Sequence, residues 1–212
     1  MEQILEQHYQ AISNGDIETL KKMYAEHRYL NNYMLQRAVY EEQIPIIWSL
    51  WGQGIKTDEA TAKTMARSKN PKIYNLIFEN EIPNPDDILR EAIISGNLEL
   101  AKKLISRVNC KFLEEECMSC AVISGKMEMI NWVYENSRFK VLKTQTFQHG
   151  ISTRNIEILE WLRNHGCPYD KSKFNHNFIN SYNNVLKEWV RNLPDTYDSV
   201  STEHINKKQR LF

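Results

Sequence analysis

The chain has 212 residues, 42% hydrophobic and 25% charged, an ordinary globular mixture that excludes a disordered polar tract. Lys+Arg and Asp+Glu number 27 each, so the net charge is zero and no bulk basic field favours nucleic acid or an anionic membrane. Seven glycines and six prolines are too few for a turn-rich all-β fold, and the many Leu, Ile, Glu, Lys and Asn residues favour helices.

The opening residues, Met1 to Glu6, are acidic and amphipathic, unlike a secretory leader. The most apolar stretch, 44–51, is far shorter than a membrane span. Four cysteines (Cys110, Cys117, Cys120 and Cys167) are too few for a disulfide scaffold in a chain this long. The expectation is therefore reduced thiols, no membrane association, and a cytoplasmic location with the nucleus as the alternative.

From the N-terminus onward the chain repeats itself. A small residue ends a first helix, a turn residue follows four positions on, and apolar residues come at plus six and plus twelve. The first unit reads Ala11, Gly15, Ile17, Met23 and the second Ala38, Glu42, Ile44, Leu50. The third reads Ala66, Asn70, Ile73 (one late), Phe78 and the fourth Ala92, Gly96, Leu98, Leu104. The fifth reads Ala121, Gly125, Met127, Val133 and the sixth Gly150, Arg154, Ile156, Leu162. A degraded seventh reads Phe178, Tyr182, Val185 (again late), Val190. Successive anchors are 27, 28, 26, 29, 29 and 28 residues apart, a period too even for chance placement of apolar residues.

Each position has a physical task. The Ala or Gly anchor allows close helix approach, and the glycine four residues later stops that helix. Asp16, Asn97 and Asn155 are placed to cap the next helix. Glu18, Glu99, Glu128 and Glu157 then suit the helix dipole in its first turn. The plus-six and plus-twelve residues are expected to face neighbouring units, each burial contributing about 1.5–3 kcal/mol. One pair cannot bury enough surface alone, so units must stack. Connections fall at 26–32, 52–59, 80–86, 107–114, 136–143 and 164–170, as a set rich in Asn, Gly, Pro and Asp. The expected architecture is all-α: a solenoid of about seven helix pairs over residues 1–192, with short or missing β-hairpins. A C-terminal cap and tail follow at 193–212, with a small basic cluster at Lys207, Lys208 and Arg210.

The segment 155–170, Asn-Ile-Glu-Ile-Leu-Glu-Trp-Leu-Arg-Asn-His-Gly-Cys-Pro-Tyr-Asp, resembles the core of divergent ankyrin repeats of the kind abundant in giant DNA viruses. Ser95-Gly96-Asn97-Leu98-Glu99-Leu100 and Ser124-Gly125-Lys126-Met127-Glu128-Met129 resemble the same helix start. A looser likeness is to the multigene families of African swine fever virus, also built on ankyrin-like units. The resemblance covers roughly residues 5–190, but the Thr-Pro-Leu-His opening of ordinary ankyrin repeats is absent. It implies a non-catalytic protein-binding scaffold, in viral relatives a modulator of host proteins. No segment resembling an F-box is present.

Chemistry-bearing motifs are sparse. Cys117-Met118-Ser119-Cys120 is a CxxC without a second ligand pair and falls within a helix, so packing is the expected role, with Cys120 the more exposed. His165 beside Cys167 lacks an orienting acid and an oxyanion motif. No nucleotide loop or HExxH is present. The reading is no catalytic residue, no metal and no cofactor. Trp48, Trp51, Trp132, Trp161 and Trp189 are expected to cover the outer face of the second helices.

Binding is expected on the exposed side of the first helices, just before each anchor. The candidate partner-binding residues are Tyr9, Gln36, Arg37, Arg90, Glu91, His149, His176 and Asn177, with Gln10 and Gln148 beside them. The expected partner is a protein. Nucleic-acid association is the rival reading and would need the basic tail. Self-association through the stack ends, for which Phe174, Phe178, Ile179 and Tyr182 would serve, is the third.

Overall fold

The structure is a computed structural model that describes residues 2–27, 31–108, 110, 114–138, 140, 142–174 and 184–197. Thirteen α-helices dominate these residues, and the sole described sheet is a two-residue antiparallel ladder. The chain divides into two compact units, residues 1–111 and 112–212.

The first unit contains α1 (Glu2–Ser13), α2 (Ile17–His27), α3 (Asn32–Tyr40), α4 (Ile44–Gly52), α5 (Glu59–Arg67), α6 (Pro71–Tyr74), α7 (Pro85–Ile94) and α8 (Leu98–Arg107). A short 3-10 helix, Asn75–Glu79, continues α6. Each first helix packs on the next, α1 on α3, α3 on α5 and α5 on α7, and each also meets its own second helix. The second unit contains α9 (Glu114–Ile123), α10 (Met127–Asn136), α11 (Thr144–Ser152), α12 (Ile156–Asn164) and α13 (Asn184–Arg191). Here α9 packs on α10 and α11, and α11 on α12. The connections lie where the Asn, Gly and Pro content placed them. Of the expected seventh helix pair, α13 is described; Phe178 and Tyr182 lie outside the described residues, as do Ile179 and the basic cluster at 207–210.

The six described anchors, Ala11, Ala38, Ala66, Ala92, Ala121 and Gly150, are all buried. Four residues on, the backbone turns left-handed at Gly15, Glu42, Gly96, Gly125 and Arg154, with φ between 57° and 71°. The hydrogen bonds explain the requirement. In three units the N–H beyond this residue returns to the anchor carbonyl: Asp16 to Ala11, Gln43 to Ala38 and Asn97 to Ala92, each at 2.8 Å. That closure satisfies helix-end carbonyls and needs one left-handed residue. Glu42 meets the requirement without being glycine, and Arg154 takes the same left-handed backbone. The third unit departs from it: Ser68 is extended, and Asn70 caps the short α6 by accepting from the Lys72 N–H.

The expected caps form. Asp16 accepts from the Thr19 N–H, Asn97 from Leu100 and Asn155 from Glu157. The buried stripe of the second helices differs from expectation. Ile17, Ile44, Leu98, Met127 and Ile156, at plus six, are only half-buried. The core is carried at plus eight, nine and twelve: Ile46, Ile47 and Leu50; Leu100, Ala101 and Leu104; Met129, Ile130 and Val133; Ile158, Leu159 and Leu162. Plus six is the first helical residue and sits at the rim of the turn. Positions eight, nine and twelve share one helical face.

Polar side chains tie successive units together at similar offsets. Gln36 donates to Thr64 Oγ1, Ser68 and Asn70 both donate to Glu42, and Lys103 donates to Asn75. In the second unit Trp161 Nε1 donates to Asn131 Oδ1 at 2.9 Å.

The end of the second unit is closed by side chains. Tyr169–Asp170 pairs antiparallel with Thr196–Tyr197. Lys171 Nζ donates to the carbonyls of Arg191 (2.8 Å) and Leu193 (2.9 Å), where α13 leaves its last carbonyls without intrahelical donors. Phe147 is fully buried beneath this closure, 4.6 Å from the Tyr169 ring and 6.0 Å from that of Phe174.

Candidate functional site

The first unit carries a surface depression of about 670 Å³ built from three successive first helices. Tyr9 comes from α1; Tyr33, Gln36, Arg37, Val39 and Tyr40 from α3; Thr64 and Arg67 from α5. Glu42 and Ser68, from the turns that follow, complete the rim. The local reason is helical spacing. Met34, Leu35, Ala38 and Val39 are buried and fix which side of α3 faces inward. Tyr33, Arg37 and Tyr40 then project to solvent, with Tyr33 70% and Tyr40 71% exposed. Two tyrosine rings so open to water are costly to leave uncovered and are typical interface anchors.

The charged groups here are already matched. Arg37 pairs with the Glu41 carboxylate, donates to Ser13 Oγ at 3.3 Å and lies 5.8 Å from the centre of the Tyr40 ring. Arg67 Nε donates to Glu91 at 2.7 Å, which holds the Arg67 guanidinium firmly protonated. Glu42 accepts from Ser68 and from Asn70 (2.8 Å). Beside the depression runs a chain of alternating charge, Glu59, Lys63, Asp87 and Arg90. Hydrogen bonds from Lys63 and Asn84 hold Glu59 below the usual carboxylate range, and those from Arg90 and Lys63 do the same for Asp87.

The predicted binding residues therefore separate. Tyr9, Gln36 and Arg37 come together at the depression. Arg90 and Glu91 are on α7; Arg90 is engaged with Asp87, and Glu91, whose side chain is only 15% exposed, receives Arg67. His149, on α11 in the other unit, is half-buried, and burial lowers its pKa. His176 and Asn177 lie outside the described residues. Tyr33 and Tyr40 are the residues that sequence reasoning missed. Their signal is an i, i+7 aromatic pair on the polar side of α3, flanking the anchor Ala38.

The other motifs resolve into packing. Cys117 and Cys120 are both buried, Cys120 the more exposed at 8%. Among the described residues no group of three or more His, Cys, Asp or Glu side chains could hold a metal ion. Among them, too, no helix is long and apolar enough to cross a membrane. Trp161 stacks on His165 at 3.8 Å, with Tyr134 edge-on to both. Trp48 stands edge-on to Trp51 and is 49% exposed.

Cys167 is fully buried, and its Sγ faces the Lys143 carbonyl at 3.4 Å, away from the exposed His165. Burial pushes the Cys167 thiol up to about 12 and that of Cys110 up to about 11. Thiolate is the reactive form, so Cys167 in the folded protein is expected to resist iodoacetamide at pH 8 and to react rapidly in denaturant. Mass-spectrometric footprinting checks this, and equal alkylation in both conditions would show that the site is open.

No family model matches the chain, nor does any curated protein or solved structure.

Proposed function

We propose that this chain is a non-catalytic, ankyrin-like helical-repeat scaffold that holds a protein partner on the exposed side of its first helices. On this reading the depression across α1, α3 and α5 is the binding site, with Tyr33 and Tyr40 as anchors and Gln36 and Arg37 as polar contacts. The single observation that carries it is the pair of exposed tyrosines flanking a concavity built by three successive first helices. Solenoids bind along such surfaces because each unit adds one strip of contact area. The even spacing of the anchors supports the helical-repeat part, whereas the ankyrin-like part and the role of a viral modulator of host proteins rest on the resemblance of residues 155–170. Matched charges at the rim favour a protein surface over a polyanion.

The test is affinity capture from cell lysate with the whole chain, comparing wild type with Tyr33→Ala plus Arg37→Glu. One dominant protein retained by wild type and lost by the variant supports the reading. A set unchanged by the substitutions removes the depression from consideration as the binding site.

A further inference from the structure

Among the asparagines of the sequence, Asn14 alone is followed by glycine. An Asn-Gly pair carries its own covalent chemistry, because no side chain on the glycine hinders its amide nitrogen. The deprotonated Gly15 nitrogen attacks Asn14 Cγ and closes a five-membered succinimide. The Cγ–Nδ2 bond breaks, and the proton given up by the amide leaves with the side-chain nitrogen as ammonia. Water then opens the ring. Cleavage between the ring nitrogen and Cγ gives aspartate. Cleavage between that nitrogen and the main-chain carbonyl carbon gives isoaspartate, with the backbone rerouted through Cβ and Cγ. Either product gains a negative charge and about 1 Da.

The turn geometry decides when this chemistry runs. Asn14 is exposed, in the turn between α1 and α2. Gly15 is left-handed, with φ 71°, and its N–H donates to the Ile12 carbonyl at 3.0 Å. The Asn14 N–H donates to the Gln10 carbonyl at 2.9 Å and the Asp16 N–H to that of Ala11 at 2.8 Å. The attacking nitrogen is therefore engaged as a donor, in a backbone that continues the bonding of α1. Residues of α3 and the turn after it support this arrangement. A β-carbon on Gly15 would stand 3.1 Å from Gln43 Oε1. Gln43 Nε2 donates to the Ser13 carbonyl at 3.4 Å, and Arg37 Nη2 to Ser13 Oγ at 3.3 Å. Both bonds are long and exposed, so the turn opens at a small fraction of the global unfolding cost.

We propose that Asn14 is a self-modifying site whose deamidation is gated by release of the α1–α2 turn from Arg37 and Gln43. Isoaspartate lengthens the main chain by one atom inside the turn. That displaces the closure of Asp16 onto Ala11 and the Asp16 cap on Thr19, so the modified turn cannot close as before. Asn136, followed by Ser137 in the other compact unit, is the internal comparison. Its amide donates to the Trp132 carbonyl at 2.7 Å, and the next residue carries a side chain.

The experiment incubates the whole chain at pH 8 and 37 °C, native and in guanidinium chloride. Peptide mapping by mass spectrometry separates aspartate from isoaspartate. Asn14 is expected to be the fastest site in guanidinium. Its native rate should be measurable but at least tenfold lower, because only the opened turn reacts. Arg37→Ala plus Gln43→Ala should raise the native Asn14 rate at least threefold and leave Asn136 unchanged, which marks a local release. In the isolated isoaspartyl chain, hydrogen exchange at the first amides of α2 should accelerate.

Four outcomes would overturn the proposal. They are equal native and denatured rates at Asn14, no native product after a hundred denatured half-lives, a faster site elsewhere in guanidinium, or a native rate unchanged by the paired substitution. If the pair accelerates Asn14 and Asn136 alike, it has loosened the whole chain, and Gln43→Ala alone decides. A native Asn14 rate above wild type with Asn136 constant then supports the gate, and an unchanged rate overturns it.

Discussion

Phe147→Ala is expected to lower the stability of the second unit by about 3–5 kcal/mol. The ring is fully buried on α11 and lies at the centre of a cluster with Tyr169 and Phe174. Tyr169 in turn stacks near Tyr197, at 5.9 Å, across the two-stranded ladder. Truncation would leave a cavity under the closure formed by that ladder, which is also the region where Lys171 caps α13. Phe147→Leu keeps most of the volume and should cost less than half as much. Urea unfolding read by circular dichroism, with hydrogen exchange of the α11 amides, separates the two variants. An alanine variant within about 1 kcal/mol of wild type would mean that the cluster collapses around the gap and does not depend on this ring.

Gly150→Val should cost about 2–3 kcal/mol. In an exposed helix, replacing glycine usually helps by up to about 1 kcal/mol. Here a β-carbon would stand 2.6 Å from Leu162 Cδ1, 3.2 Å from Leu159 Cδ2 and 3.8 Å from Val122 Cγ1. Those neighbours belong to α12 and α9 and are themselves fully buried, so they cannot swing into solvent. Leu162→Ala opens the space, and in that background the valine substitution should cost at least about 1 kcal/mol less than it does alone. Additive losses in the double-mutant cycle would show that Gly150 is limited by something other than contact with Leu162.

Gly150 shows why the repeat was legible. A small residue where helices touch is a demand of packing, and it recurs wherever the packing recurs. The same holds for Asp16, Asn97 and Asn155, whose caps depend on neighbours two or three residues away. Local chemistry of this kind is written in consecutive residues, so helix boundaries and connections followed from it. The all-α class did too, since the described residues are mostly helical.

Other features needed the assembled structure. Glu42 and Arg154 adopt a backbone that sequence reasoning reserves for glycine; at Glu42, closure of the turn onto the Ala38 carbonyl outweighs a local cost of about 1–2 kcal/mol. Arg90 and Glu91 looked like free surface, yet Arg67 of α5 engages Glu91 across the fold, and Asp87, one turn back on α7, engages Arg90. Tyr33 and Tyr40 looked unremarkable, because their exposure depends on which side of α3 faces its neighbours α1 and α5.

The sequence alone therefore determined the helices, their caps and the period of about 28 residues, because these arise from interactions within one turn or one helix pair. The plus-twelve core position was legible too; only the tertiary structure decided that plus eight and nine, rather than plus six, join it in the core, which surface charges between helices are already matched, and which aromatic rings are exposed. Those outcomes depend on contacts between residues some 24 to 30 positions apart, as in Arg67 with Glu91 and Gln36 with Thr64, and no local pattern specifies them.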